Sequence, residues 1–280
     1  MAGVLHRARR GTAAAFAAGL LGLLLSACAS SPVPTPPGPS TIAAGLLPAD
    51  ALLLGEQHDA AEHHVIELQV VQLLVARGQL AALVLEMAEQ GNETGYLPPG
   101  ATEDQVRTAL GWDDKAWPWS DYGPAVLVAV RAGVPVFGAN LPRERMRDAM
   151  ADVSLDAQLG PAARAAQQEA VRDGHCRLLP EAQIAPMTRI QIARDRSMAQ
   201  TILKARVPGR TVLLVSGAAH GDKLVGVPQQ LPTEVPVKVF RLQAGDAPSD
   251  PGTYDAIWRT PALPEKDYCA ELRPRPKPAG

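Results

Sequence analysis

Two apolar runs far apart in the chain end in the same pattern, a glycine followed three residues later by a histidine. Residues 52–58 read Leu-Leu-Leu-Gly-Glu-Gln-His, and residues 212–220 read Val-Leu-Leu-Val-Ser-Gly-Ala-Ala-His. An apolar run followed by glycine and polar residues is typical of a buried strand that passes into a loop. Two strand ends that each deliver an imidazole are therefore the main indication of a functional site.

Further apolar runs alternate with segments of helical periodicity, which is the pattern of βαβ units. Continuous rather than alternating hydrophobicity indicates strands that are buried on both faces of a parallel sheet. We therefore predict one α/β domain over residues 46–262, with a mainly parallel sheet flanked by helices and an extra helical section before the fourth strand. The predicted strands are 51–54, 80–87, 134–140, 211–216 and 235–242, with a short sixth strand near 254–259.

Polar residues follow four of these runs. They are Glu56 and His58, Glu86, Asn140, and His220. Because right-handed crossovers make the strands parallel, their carboxyl ends meet at one edge of the sheet. We expect these side chains to gather there.

Two imidazoles and two carboxylates at one edge are a ligand set for a first-row metal such as zinc, manganese or iron. An open coordination position would allow metal-assisted hydrolysis, as in a protease or esterase. The other interpretation is structural, with Glu56 binding backbone amides and the histidines satisfied by hydrogen bonds. The potential metal ligands are Glu56, His58, Glu86 and His220, to which His63 and His64 could be added.

The N-terminus predicts export. A basic stretch at residues 6–10 precedes apolar residues 13–25, and small residues then lead into Cys28. This pattern is typical of a lipoprotein signal peptide over residues 1–27, with Cys28 as the lipidated first residue of the mature chain. An ordinary secretory signal is the alternative. Ala29 follows the cysteine, which favours an outer-membrane anchor facing the periplasm.

Residues 28–45, rich in proline and serine, predict an extended tether, and residues 263–280 predict a C-terminal tail. Two cysteines remain, Cys176 and Cys269. In an exported protein they predict one disulfide, whereas in a reducing compartment they would be separate thiols. The net charge of −2 and the lack of a basic run outside the N-terminus argue against a nucleic-acid partner.

Several motifs occur together in a specific order. They are Gly-Glu-Gln-His at 55–58, Leu-Val-Leu-Glu-Met at 83–87, Tyr-Gly-Pro at 122–124, Asn-Leu-Pro-Arg at 140–143, Gln-Ile-Ala-Arg-Asp at 191–195 and Gly-Ala-Ala-His at 217–220. This set resembles the ChaN-type haem-binding uptake lipoproteins of the Tiki/TraB/erythromycin-esterase superfamily. The second motif reads Gly-Ala-Ala-His where many relatives carry Gly-Asn-Gly-His, which alters the turn and keeps the imidazole.

The resemblance implies a haem-binding lipoprotein with a role in haem or iron acquisition. Its partners would be haem, the membrane through the lipid on Cys28, an outer-membrane haem or iron receptor, and a second copy of the chain in a homodimer. A metal-dependent hydrolase of the same superfamily is the alternative, and a protein that kept the fold and lost the site is a third. The residues implied in haem binding are His58, His63, His64, Tyr122, Asn140, Arg143 and His220, with Arg143 or Arg194 at the propionates.

Overall fold

The computed structural model describes residues 38–248, 252–270, 272 and 273. The described residues contain six strands, and each begins within two residues of its predicted start. The predicted signal peptide and Cys28 lie outside the described residues. The strands are β1 (Ala51–Glu56), β2 (Leu80–Glu89), β3 (Val136–Asn140), β4 (Thr211–Gly217), β5 (Val237–Ala244) and β6 (Ala256–Thr260).

The strands form one sheet in the order β3-β2-β4-β1-β5-β6, and every neighbouring pair is parallel. The predicted α/β class and parallel sheet are therefore confirmed. All carboxyl ends point to the same edge, and β1 lies directly beside β4 in the middle of the sheet. The two Gly-x-x-His sequences thus leave neighbouring strands.

The strands extend further towards this edge than predicted. β1 ends at Glu56 rather than at Leu54, because Glu56 still pairs with Gly217 of β4. β2 continues to Glu89, so Glu86 lies within the strand and not beyond its end. The pairing of β2 with β3 shifts register between Leu85 and Glu89, an irregularity that alters the direction of the side chains there.

Seven α-helices of the described residues surround the sheet. Three of them, with intervening 3₁₀ turns, form the extra helical section predicted before β4. The helix over Ala61–Ala76 stops as expected, since Gly78 follows with a positive φ of 63°. The helices are α1 (Pro39–Gly45), α2 (Ala61–Ala76), α3 (Glu103–Ala109), α4 (Trp119–Arg131), α5 (Met146–Ala151), α6 (Pro161–Gly174) and α7 (Glu181–Ala205).

Helix α1 differs from the prediction that residues 28–45 form an extended tether. Pro39 occupies the first turn, where its missing N–H costs nothing, and Ala43 is buried against the core. The helix contacts α2. The proline-rich composition suggested an extended chain, but the apolar residues between Ile42 and Leu47 pack against the domain instead.

The sheet is buried on both faces, as its continuous apolar strands predict. Leu52 and Leu54 of β1 pack with α2 and α4, while Ala51 and Leu53 pack with α7 on the opposite face. Alternate residues of β1 therefore enter different cores. No helix among the described residues combines the length and apolar character needed to cross a bilayer.

The structure pairs Cys176, which follows α6, with Cys269 in the C-terminal tail, and their Cα atoms are 5.8 Å apart. We expect the purified protein to show no reaction of these two residues with a thiol reagent in denaturant until a reductant is added. Loss of the bridge, in Cys269→Ser, should lower the free energy of unfolding by about 2–5 kcal/mol. Two reactive thiols in the unreduced, denatured protein would contradict the pairing.

Candidate functional site

A cavity of about 700 Å³ opens at the carboxyl edge of the sheet. Its volume falls within the range of about 300–1,000 Å³ that is usual for small-molecule sites. The strand ends, the start of α4, helix α7 and the C-terminal tail supply its walls. Six predicted site residues line it, namely Glu56, His58, Glu86, Tyr122, Arg194 and His220.

The two Gly-x-x-His segments can approach one another because each begins with glycine. A Cβ atom on Gly55 would lie 2.8 Å from the backbone Cα of Ala218, and one on Gly217 would lie 2.8 Å from Nε2 of His58. Both distances are shorter than real Cβ contacts. Gly55 therefore lets β1 lie against the turn that follows β4, and Gly217 makes room for the His58 imidazole.

Glu86 is the centre of one hydrogen-bond network. Its Oε2 accepts the backbone N–H of Gly217 at 2.7 Å, and its Oε1 accepts from the Arg194 guanidinium. Nε2 of His220 lies 3.4 Å from the same Oε1, while Nδ1 of His220 lies 2.6 Å from Asp195 Oδ1. Both nitrogens of His220 are thus occupied by carboxylates.

This network stabilises the charged forms of Glu86 and His220. Burial alone would lower the pKa of His220, but the charges of Glu86 and Asp195 raise it to about 9. Burial would likewise raise the pKa of Glu86, yet His220 and Arg194 hold it well below its usual range. Burial also raises the pKa of Asp195, and the nearby His220 and Arg194 offset this rise only in part. At neutral pH we therefore treat His220 as an imidazolium held mainly by Glu86.

Glu56 is the centre of a second network. Its Oε1 accepts from the Tyr122 hydroxyl at 2.8 Å and from His58 Nδ1 at 2.7 Å. Burial opposes ionisation of Glu56, but the hydrogen bond from His58 and the close approach of the His64 imidazole lower its pKa below the usual range. Since an ionised carboxylate only accepts, Nδ1 of His58 carries a proton. In the neutral ring, Nε2 is then the free base.

The two histidines at the start of α2 do not line the cavity. His63 is fully buried, where its Nδ1 accepts the backbone N–H of Gln57 at 2.9 Å and its Nε2 lies 3.0 Å from the Thr260 hydroxyl. Its role is therefore structural. His64 lies behind Glu56, with its Nε2 3.1 Å from Glu56 Oε2.

Two other predicted residues also lie away from the cavity. Asn140 accepts from Arg194 Nε at 2.9 Å and so helps to hold that guanidinium against Glu86. Arg143 is exposed, and its backbone N–H donates to Glu89 at 2.9 Å. Arg194, from the middle of α7, lines the cavity in its place.

The four residues predicted to share a metal do not form one convergent set of ligand atoms. Nε2 of His58 is 3.8 Å from Glu86 Oε2, and Glu86 Oε1 already binds Arg194 and His220. A guanidinium beside this carboxylate repels a cation. The described residues thus give the metal-dependent hydrolase hypothesis no support at Glu86.

Several site residues were not assigned roles from sequence. Asp195 stands in a quoted motif, but its pairing with His220 depends on how α7 packs on the sheet. Trp117 and Arg241 line the cavity from a loop and from β5, and Glu67 is buried behind Glu56. Of these residues, only Trp117 is indicated by the sequence, because it lies in a cluster of aromatic residues.

The C-terminal tail reaches the mouth of the cavity. Tyr268, next to the bridged Cys269, lines the cavity and donates its hydroxyl to Asp59 Oδ2 at 2.7 Å. Lys266 is 3.8 Å from the same carboxylate oxygen. The tail predicted for residues 263–280 therefore contributes a side chain to the site.

We expect Gly55→Ala to lower the free energy of unfolding by about 1–3 kcal/mol, because the added methyl group meets rigid backbone. Gly45→Ala is the matched control, since a Cβ there meets nothing within 4 Å. Chemical denaturation measures both. Equal stability of Gly55→Ala and the wild type would show that β1 and the turn that follows β4 are not in close contact.

The chain resembles known proteins in both sequence and fold. The sequence profile described as haem-binding uptake, Tiki superfamily, ChaN, matches residues 42–231. No curated protein sequence matches the chain significantly. The solved structure of cofacial haem binding to ChaN of Campylobacter jejuni is similar, with a TM-score of 0.62 and 23% identity over 74% of this chain and 86% of that chain.

The structure of the type III effector HopBA1 also matches, with a TM-score of 0.47 and 14% identity over 81% of this chain and 94% of that chain. The profile covers well over half of the chain and includes both Gly-x-x-His sequences. The likeness to Campylobacter jejuni ChaN independently shows the same fold. This protein therefore belongs to the ChaN family of haem-binding uptake proteins in the Tiki superfamily.

Proposed function

We propose that the chain binds haem in the cavity at the sheet edge, with Nε2 of His58 as the axial ligand to iron. The observation that carries this proposal is the position of His58. Its side chain is 37% exposed and lines the cavity, whereas the side chains of His64 and His220 are 8% and 10% exposed. Imidazole is a common axial ligand of haem iron.

The remaining candidates are engaged elsewhere. His63 uses both ring nitrogens in structural contacts, and His220 uses both with Asp195 and Glu86. Tyr122 is buried and donates to Glu56, and burial together with that carboxylate raises the pKa of its phenol far above the usual value. A phenol that keeps its proton is a poor iron ligand.

Glu56 prepares His58 for this role. It accepts the Nδ1 proton at 2.7 Å, so the opposite nitrogen is the one that remains free in the neutral ring. Metal-binding histidines commonly donate their other N–H to a carboxylate in this way, which fixes the tautomer and increases the basicity of the ligand. Trp117 meets the His58 ring edge to face, with centroids 4.8 Å apart, and limits its rotation.

The walls of the cavity match the two kinds of surface that haem presents. Ala116, Trp117 and Pro118 supply apolar contacts on one side. Arg241 stands on another side, stacked over Tyr254 at 5.0 Å, and its buried Nε has no hydrogen-bond partner among the described residues. A propionate carboxylate would satisfy that donor.

Tyr268 is the second candidate ligand, because its exposed phenol lines the cavity. Its hydrogen bond to Asp59 raises the pKa of the phenol, which makes it the weaker candidate. Tyrosine ligates haem iron in some proteins. It lies beyond residues 42–231 that match the family, whereas His58 lies within them. If His58 is the ligand, His58→Ala loses the haem spectrum. If Tyr268 is the ligand, Tyr268→Phe loses it.

We further propose that the protein takes part in haem or iron uptake as a lipoprotein, anchored through Cys28 in the outer membrane and facing the periplasm. The sequence pattern before Cys28 supports this. We also propose that two copies of the chain assemble as a homodimer around haem, as the resemblance to the family implies. A haem or iron receptor of the outer membrane would be the partner.

Titration of the full-length protein with haemin in mild detergent should give a saturable, shifted Soret band. His58→Ala should weaken binding by at least about tenfold, as expected for loss of a metal ligand. Tyr268→Phe and the buried structural variant His63→Gln serve as comparisons, and both should retain the band. A spectrum lost in Tyr268→Phe and retained in His58→Ala would transfer the ligand role to the tyrosine.

Haemin affinity should rise with pH. Burial alone would lower the pKa of His58, but its hydrogen bond to Glu56 and the charge of Glu86 raise that pKa above the usual value of 6.5. Iron must displace the proton from Nε2, so binding is weakest at pH values below this raised pKa and strengthens as pH passes through it. Titrations between pH 5 and 9, repeated with His58→Ala, should show the slope only in the wild type. An affinity that is independent of pH in both proteins would contradict protonation of the ligand.

Labelling of bacterial cells with a fatty acid that carries a click-chemistry handle tests the anchor. The wild-type protein should carry the label and fractionate with outer membranes, and Cys28→Ser should lose it. Label retained in Cys28→Ser would place the lipid on another residue, and an unlabelled wild type released into the periplasm would favour an ordinary secretory signal.

A further inference from the structure

A second group of polar side chains lies behind the cavity, between the end of β1 and helix α2. Glu56 uses Oε1 for His58 and Tyr122, and its other oxygen, Oε2, faces His64 and Glu67. We propose that Glu56 Oε2, His64 Nε2 and Glu67 Oε1 bind one divalent transition-metal cation. This inner site uses neither His58 nor His220 as a ligand, although it shares Glu56 with the His58 hydrogen bond.

The geometry brings three ligand atoms together. One atom from each of the three residues lies within 4.8 Å of the other two. His64 and Glu67 are three residues apart on α2 and so share a helix face, which packs towards the strand that supplies Glu56. All three side chains are buried, with Glu67 only 1% exposed.

None of the three atoms is satisfied by the protein. Glu56 Oε2, His64 Nε2 and Glu67 Oε1 each lack a hydrogen bond of normal geometry among the described residues. The 3.1 Å contact between His64 and Glu56 has the distance of an ion pair without that geometry. A buried polar atom without a partner costs about 1–3 kcal/mol, so three such atoms that face one another favour a shared cation.

The three side-chain atoms determine which kind of ligand can bind between them. Two carboxylate oxygens and one imidazole nitrogen suit zinc, manganese or iron. A bound anion is disfavoured, because the negative charges of Glu56 and Asp121 already act on Glu67. His58 and His64 are the titratable groups of opposite sign that face Glu56.

A shared proton is the competing occupant. Burial and the neighbouring charge of Glu56 raise the pKa of Glu67 well above its usual value, so the metal-free protein keeps a proton on this carboxyl group. The proton would leave when a cation binds. A proton between Glu56 and Glu67 would, however, leave His64 Nε2 unsatisfied, whereas a metal ion would satisfy all three atoms.

The full-length protein should be stripped with a chelator and dialysed separately against Zn²⁺ and Mn²⁺, followed by metal analysis of protein and buffer. We expect saturable binding of about one ion per chain and a rise in Tm with the bound ion. Glu67→Gln keeps the shape and the uncharged state of the side chain, and should weaken binding by about 10–100-fold. Glu62→Gln, an exposed change on the same helix, should leave binding unchanged.

Three results would overturn the proposal. They are the absence of saturable binding by the wild type, unchanged binding in Glu67→Gln, and metal lost in His58→Ala but kept in Glu67→Gln, which would place the ion in the cavity. If circular dichroism shows that Glu67→Gln is unfolded, His64→Gln takes its place with the same criteria. Haemin binding by the folded inner-site variant separates this result from failure of the haem proposal.

Discussion

The contact between the end of β1 and the turn that follows β4 is the constraint on which the site depends. These strands are neighbours, and the absence of a side chain on Gly55 lets β1 lie against the backbone of Ala218. Gly217 in turn leaves space for the His58 imidazole and donates its N–H to Glu86. Each histidine is therefore positioned by the glycine of the other motif or by the carboxylate beside it.

Glu56 and Glu86 divide the polar groups into two networks with different properties. Glu86 is neutralised by Arg194 and by the His220 imidazolium, both of them firmly held. Among the described residues Glu56 has no arginine or lysine partner, and it contacts a phenol and two imidazoles instead. Exchangeable ligands, whether haem iron at His58 or a metal ion behind it, thus belong to the Glu56 network. Because one carboxylate faces both positions, occupancy of the inner site should influence the basicity of His58.

Much of this arrangement follows from local sequence. Apolar runs identify the strands, and the parallel sheet then brings Glu56, His58, Glu86 and His220 to one edge, as predicted. The partners of these residues could not be read in the same way. Asp195 and Arg194 reach the edge only because α7 packs on the sheet with these two residues turned towards it. Glu67 has the sequence context of an exposed helix residue, and only the structure shows that it is buried. Arg143 shows the converse, since it belongs to a matching motif yet is exposed and lies away from the cavity.

The haem proposal depends on where the iron lies. Crystals of the full-length protein or its lipid-free form, grown with haemin and measured at the iron absorption edge, would locate it through the anomalous signal. The account predicts an anomalous peak in the cavity within bonding distance of His58 Nε2, with the Glu56–His58 hydrogen bond intact. A peak bonded to a different side chain, or on a surface remote from both Gly-x-x-His segments, would contradict it.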